Sequence, residues 1–265
     1  MSETILYSVE DQVALITLNR PESLNAMNPE MLGVIADAGE RAASDPDVRC
    51  VVVTGAGRAF SAGGDVKAMA SRDSGGSGGP VLSGVERLRQ QEEISRLLAE
   101  MPKPTIAAIN GVAAGAGLSV ALACDLRIMS DQARLTTAFS KVGFSGDFGG
   151  TWLLQRLVGP AKAKELYFLS DMLSAEDALR LGLVSRVVPQ DSLMEEAMAL
   201  ARRLAAGPTL AYGRIKENFA FGATATFADT LTKEAENMIA SGQTEDHRNA
   251  AMAFVEKREP TFRGR

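Results

Sequence analysis

Two stretches near the start, Ile5 to Val9 and Gln12 to Leu18, are rich in aliphatic and β-branched residues and flank the polar pair Glu10-Asp11. This pattern predicts two strands joined by a tight turn. Asn28-Pro29-Glu30 sets a capping side chain ahead of a proline at the first helical position, which predicts a helix running to about Ala43. The apolar run Cys50-Val51-Val52-Val53-Thr54 predicts a strand buried on both faces, ended by Gly55. Helical spacing over Val85 to Glu100, a strand at Thr105 to Ile109, a helix at Leu118 to Ala123 and a strand at Leu126 to Met129 continue the alternation. Strands alternating with helices imply an α/β domain. Beyond Pro160 the spacing is helical almost throughout: Ala161 to Ser170, Ala175 to Leu181, Leu193 to Ala206, Leu210 to Phe221, Phe227 to Ser241 and Glu245 to Lys257. A short strand at Leu183-Val184-Ser185 interrupts it, and no repeat of fixed period is present.

Composition narrows this picture. A net charge of −5 argues against a general nucleic-acid footprint. Cys50 and Cys124 each adjoin an apolar run, as buried free thiols do, and no Cys/His cluster suggests a metal. The N-terminus lacks the basic and apolar regions of a secretory signal, and no apolar stretch is long enough for a bilayer, so a cytoplasmic protein is expected. Ser71 to Gly84, rich in Gly and Ser, is predicted to be a mobile loop.

Candidate chemistry is sparse. Gly55-Ala56-Gly57 follows a strand, but Phe60 stands where a dinucleotide fingerprint needs its third glycine. His247, the only histidine, sits in the charged helix start Glu245-Asp246-His247-Arg248, which suits a solvated face better than a catalytic triad. Two glycine loops are more informative. In Phe60 to Lys67, the N–H groups of Gly63 and Gly64 are free to face an anionic oxygen, the alternative being a tight turn with Asp65 as a helix cap. Ala114-Gly115-Ala116-Gly117 opens an apolar helix whose positive end would face a ligand. A third glycine segment, Gly143-Phe144-Ser145-Gly146-Asp147-Phe148-Gly149-Gly150-Thr151, carries one acid and leads into the run Trp152 to Val158, apolar enough for a buried helix. Asp147 is there either as a cap of that helix or as a working group. Two donor loops and one acid suit proton chemistry beside a thioester carbonyl.

These segments, taken in order, resemble the crotonase superfamily, the enoyl-CoA hydratase/isomerase family. The matching motifs are Asn19 to Met27, Gly57 to Lys67, Pro102-Lys103-Pro104 through Gly117 to Cys124-Asp125, Gly149-Gly150-Thr151, Leu181 to Val184 and Phe254 to Arg258. The resemblance implies an α/β fold: a spiral of ββα turns over 1–205, then a helical region over 206–265 that forms a homotrimer or a dimer of trimers. It implies an acyl-CoA thioester as substrate, with no further cofactor, and an oxyanion hole from the N–H groups of Gly64 and Ala116. Ser23, Leu24, Ala26, Ala62, Gly63 and Asp65 fall where the family grips coenzyme A. Arg58, Lys67 and Lys257 fall where basic residues meet its phosphates, while Glu22 replaces a base often found there.

Family hydratases use two glutamates that activate water, and here those positions hold Ser119 and Phe139. Phe139 is left as a pocket residue. Asp147 remains as the acid/base, a placement that resembles dienoyl-CoA isomerases and the ring-opening isomerases of phenylacetyl-CoA epoxides. Glu92 and Glu93 lie on the helix that lines the acyl pocket in this family, where either could add a second carboxylate. Burial against Phe139, Phe144 and Phe148 would raise the Asp147 pKa, and N–H groups at Gly149 and Gly150 would lower it. The reading is a double-bond isomerase working through an enolate. The alternatives are hydration of an unusual enoyl-CoA and a non-catalytic acyl-CoA-binding protein.

Overall fold

A computed structural model describes residues 4–65 and 81–265; Lys67 and residues 71–80 of the expected loop lie outside them. Strands β1 (Ile5–Glu10) and β2 (Val13–Leu18) form an antiparallel hairpin. Its turn is Asp11-Gln12, one residue later than the polarity pattern suggests, with both residues at positive φ. Helix α1 (Pro29–Ser44) starts at an Asn28 cap whose side chain accepts from the Met31 N–H at 2.9 Å.

From β3 (Cys50–Gly55) onward the chain climbs in turns, each giving one strand to each of two sheets. β3 is followed by β4 (Ala59–Ser61), β5 (Thr105–Ile109) by β6 (Val112–Ala114), and β7 (Leu126–Ser130) by β8 (Leu135–Thr136). The order β1-β2-β3-β5-β7-β9 makes a six-stranded sheet, parallel from β2 onward, and β4-β6-β8 makes a parallel three-stranded sheet. β4, β6 and β8 are two or three residues long, too short for a periodicity to reveal. β9 is Arg186–Val188, just after the expected strand at 183–185.

The helix expected over Val85 to Glu100 is two helices, α2 (Val81–Gln91) and α3 (Glu93–Glu100), parted at Glu92. α4 (Ala116–Ala123) is buried along its whole length. α5 (Gly150–Leu169) bends at Gly159-Pro160, and its first turns are not the buried segment expected, since Trp152 is 45% exposed. α6 (Ala175–Arg180), α7 (Leu193–Ala205), α8 (Thr209–Gly222), α9 (Phe227–Gly242) and α10 (Glu245–Val255) complete the chain.

Alternation through the parallel strands separates two cores. Val13, Cys50, Val52, Ile106, Ala108 and Ile128 face α7, whose Leu193, Ala197, Ala201 and Ala205 form a stripe at four-residue spacing. Ile16, Val51, Val53, Ala107, Ile109 and Met129 face the other way, into the larger core shared with α1, α3 and α4. Among the described residues no helix is long and apolar enough to cross a membrane.

Candidate active site

The segment 20–27 and the loop after β4 are stitched together by one buried side chain. Asn25 is fully buried; its Oδ1 accepts from the Arg20 N–H at 2.9 Å, and its amide donates to Ala56 O at 2.9 Å and Ala59 O at 2.8 Å. Ser61 Oγ donates to Asn25 O at 2.8 Å, Ala62 N to Leu24 O at 2.9 Å and Met27 N to Gly63 O at 2.7 Å. These bonds hold Ser23, Leu24 and Ala26 beside Ala62, Gly63 and Asp65. Asp65 pairs with Arg20 at 3.2 Å; the helix it is expected to cap lies outside the described residues. Arg58 stands exposed at the rim of the same region. Lys257 lies exposed past α10 and makes no hydrogen bond or ion pair to this loop among the described residues.

Gly63 faces the other glycine loop across a gap only glycine permits. Its φ is +91°, and a Cβ there would sit 2.7 Å from Ala114 O and 3.4 Å from Ala116 N. The closeness sets the loop that carries Gly64 against the start of α4, whose first residue is Ala116. Neither the Gly64 N–H nor the Ala116 N–H donates a hydrogen bond among the described residues. The Ala116 N–H, in the first turn of α4 with the helix dipole behind it, favours negative charge.

The acid turn closes the site from the side of α5. Gly143, Gly146 and Gly149 all have positive φ, as does Phe148, at 52°, an unusual conformation for a bulky residue. The strained Phe148 peptide is clamped by Glu92, whose Oε1 accepts its N–H at 3.0 Å. Glu92 therefore belongs to the site. Glu93 does not: it pairs with Arg96, which holds its carboxyl below the usual range.

Asp147 is not a helix cap. The cap position of α5 is Gly149, with no side-chain cap bond, and the Gly150 N–H goes to the backbone oxygen of Asp147 at 3.1 Å. Asp147 Oδ1 is out of solvent and without a hydrogen-bond partner. The opposed influences on its pKa thus resolve upward: burial first, and the negative charge of Glu92 second, push it up to about 6. Phe139 and Phe148 are buried, but Phe144 is 56% exposed and shields nothing.

Ser119 and Phe139 bracket a residue the sequence reading missed. Tyr167, half-buried on α5, stacks parallel on Phe139 with ring centres 5.8 Å apart. Ser119 is buried and its Oγ donates to Gly115 O at 3.3 Å. Tyr167 lies 24 residues past the start of the turn in a helix with no motif around it, so nothing in the sequence singles it out. The thiols are chemically quiet: burial pushes both Cys50 and Cys124 up to about 12.

Comparison with known proteins fits this arrangement. A family model described as enoyl-CoA hydratase/isomerase matches residues 8–265. The chain is 41% identical over 265 residues, all of both chains, to 1,2-epoxyphenylacetyl-CoA isomerase of Escherichia coli. It is 33% identical over 267 residues, 98% of each chain, to crotonyl-CoA hydratase of Syntrophomonas wolfei. The crystal structure of an enoyl-CoA hydratase from Polaromonas sp. JS666 superposes with a TM-score of 0.91 at 31% identity, covering 97% of this chain and 99% of that one.

Proposed function

The chain belongs to the enoyl-CoA hydratase/isomerase family, and we propose that within it the protein is an acyl-CoA isomerase with Asp147 as its acid/base. The observation that carries this reading is a carboxyl oxygen out of solvent, without a partner, on a group whose pKa is pushed up to about 6. A base that must accept and return one proton near neutral pH works best when its pKa lies close to the working pH. Asp147 as carboxylate takes a proton from the carbon chain beside the thioester. The negative charge moves to the thioester oxygen, held by the N–H groups of Gly64 and Ala116, and the proton returns at a different carbon. Each such donor is worth about 2.7–4 kcal/mol of barrier. Ser23, Leu24, Ala26 and Ala62 to Asp65 hold the coenzyme A arm, with Arg58, Lys67 and Lys257 serving its phosphates. The 41% identity to 1,2-epoxyphenylacetyl-CoA isomerase supports isomerisation.

A second reading has one observation in its favour. Glu92 reaches the same site and its charge acts on Asp147, so two carboxylates could activate water together. Product mass separates the two readings. With a 3-enoyl-CoA or 1,2-epoxyphenylacetyl-CoA as substrate, isomerisation leaves the mass unchanged and hydration adds one water. Asp147→Asn should abolish turnover while acyl-CoA binding survives; unchanged turnover overturns the assignment. Acyl-CoA binding with neither an isomerised nor a hydrated product would leave a binding protein instead.

The protein is further proposed to assemble as a homotrimer or dimer of trimers. α8, α9 and α10 carry Phe219, Phe227, Met238, Phe254 and Val255, all more than 70% exposed, which suits burial between subunits. Light scattering of the purified protein tests this; a monomer at micromolar concentration refutes it.

A further inference from the structure

We propose that Tyr167 is the specificity-determining residue that keeps water from the Oδ1 atom of the acid, so that the site moves a proton rather than adding water; this rests on reading Asp147 as the acid/base. Tyr167 reaches across the space between the two halves of the site. A Cβ on Gly146 would lie 2.9 Å from the edge of its ring, and a Cβ on Gly150 would collide with its hydroxyl and with Ser119 Oγ. The acid turn thus carries glycine on both sides of Asp147 where the phenol is seated. On its other side the ring stacks on Phe139, and Phe139 lies 3.8 Å from where a Cβ on Gly115 would point. Gly115 caps α4, whose first N–H belongs to Ala116. Phe139 and Tyr167 together therefore form a wall from the oxyanion loop to the acid turn.

The wall is polar at one point only, and that point is occupied. The phenol hydroxyl has Ser119 as its hydrogen-bonding neighbour, and burial, with the Asp147 charge adding to it, pushes its pKa up to about 12. Tyr167 stays a neutral O–H at any working pH and supplies no base for water. Asp147 Oδ1, beside this wall, is out of solvent and unpartnered. Hydration joins a water oxygen to the β carbon of the enoyl thioester and passes one water proton to a base. A proton then reaches the α carbon as the enolate collapses. Isomerisation takes nothing from solvent. Excluding water from Asp147 Oδ1 leaves only the second course open to that oxygen.

The test is product partition on a 3-enoyl-CoA, read by mass as the share of product that has gained one water. Tyr167→Phe keeps the ring and should keep that share at the wild-type level. Tyr167→Ala removes the ring and should raise it by about tenfold or more. If circular dichroism finds the alanine variant unfolded, Tyr167→Leu, which fills the helix position without bridging to Phe139, takes its place with the same expectation. A hydrated share no higher than wild type in the folded variant overturns the inference, as does a phenylalanine variant that hydrates as much as alanine. Failure of the acid/base reading is a separate result, unchanged turnover in Asp147→Asn on the same substrate.

Discussion

Replacing Asp147 by asparagine should stabilise the protein, and by an amount that depends on pH. The Asp147 carboxyl is raised from its ordinary 3.8 to about 6 in the folded chain, chiefly by burial. A group with a raised folded pKa binds its proton more tightly in the native state. Its stabilising contribution is complete below 3.8 and is lost as pH rises through about 6. At about 1.4 kcal/mol per pKa unit, the loss approaches about 3 kcal/mol as a ceiling. Because part of the side chain still meets solvent, about 1–2 kcal/mol is the expected figure. Asparagine carries no charge to desolvate and escapes this loss. Urea unfolding followed by circular dichroism, from pH 4 to pH 8 at fixed protein concentration, measures it. The stability of the variant relative to wild type should rise by about 1–2 kcal/mol across that range, mostly between pH 4 and 6. A difference that stays flat with pH refutes the claim that Asp147 is a buried acid with a raised pKa.

The activity profile reports the same group: kcat/KM should fall as pH drops through about 6, and Glu92→Gln should move that limb to lower pH, because the amide still accepts the Phe148 N–H but removes a like charge. Glu93→Gln should leave the limb in place, since Glu93 faces Arg96. Gly63→Ala should lower kcat by about a hundredfold or more, through loss of oxyanion geometry, because its Cβ would sit 2.7 Å from Ala114 O; steady-state kinetics measures the drop. Asp246→Ala should cost about 3 kcal/mol in urea unfolding, since buried Asp246 accepts the Arg263 N–H at 2.6 Å and the Gly264 N–H at 2.8 Å. The same variant should expose 262–265 to protease.

The parts of this protein legible in its sequence are those where local physics is strong. The β3 and β5 runs are apolar on both faces and could be little else, and Asn28-Pro29 states a helix start outright. The three-stranded sheet escaped because β4, β6 and β8 derive their order from neighbours in the spiral, not from their own pattern. The unequal lengths of the turns also hide the repetition from any search for a fixed period. The same division runs through the site. Gly63, Gly64, Ala116 and Asp147 stand out as candidates because glycine loops and a lone acid are local signals. Asn25, which joins the two loops, and Tyr167, which meets the acid turn from a helix, act through contacts between segments far apart in the chain. Glu92 and Glu93 are adjacent and chemically alike. What separates them is the direction each takes at the break between α2 and α3, a tertiary fact.

The arrangement also accounts for how a buried acid is tolerated. Around it the fold leaves few other polar groups unsatisfied. Asn110 donates to Gly55 O at 2.8 Å and Gly57 O at 2.9 Å, closing the loop that leads to β4. Arg127, buried, donates to Leu183 O at 2.6 Å and to Cys124 O at 2.5 Å, tying the end of α4 to the strand beneath it. Arg49 reaches Thr209 Oγ1 at 2.7 Å and Phe262 O at 3.0 Å, fixing the helical region to the sheet. Each of these side chains satisfies backbone oxygens at a junction between segments, where an unpaired carbonyl would cost about 1–3 kcal/mol. Among the acids of the described residues Asp147 Oδ1 is the exception, and it lies close enough to Glu92 and Tyr167 to feel the one and act on the other. Under the proposed function, this polar atom, left without a partner in a frame that elsewhere satisfies its buried groups, takes its partner from the substrate: the proton on the carbon beside the thioester.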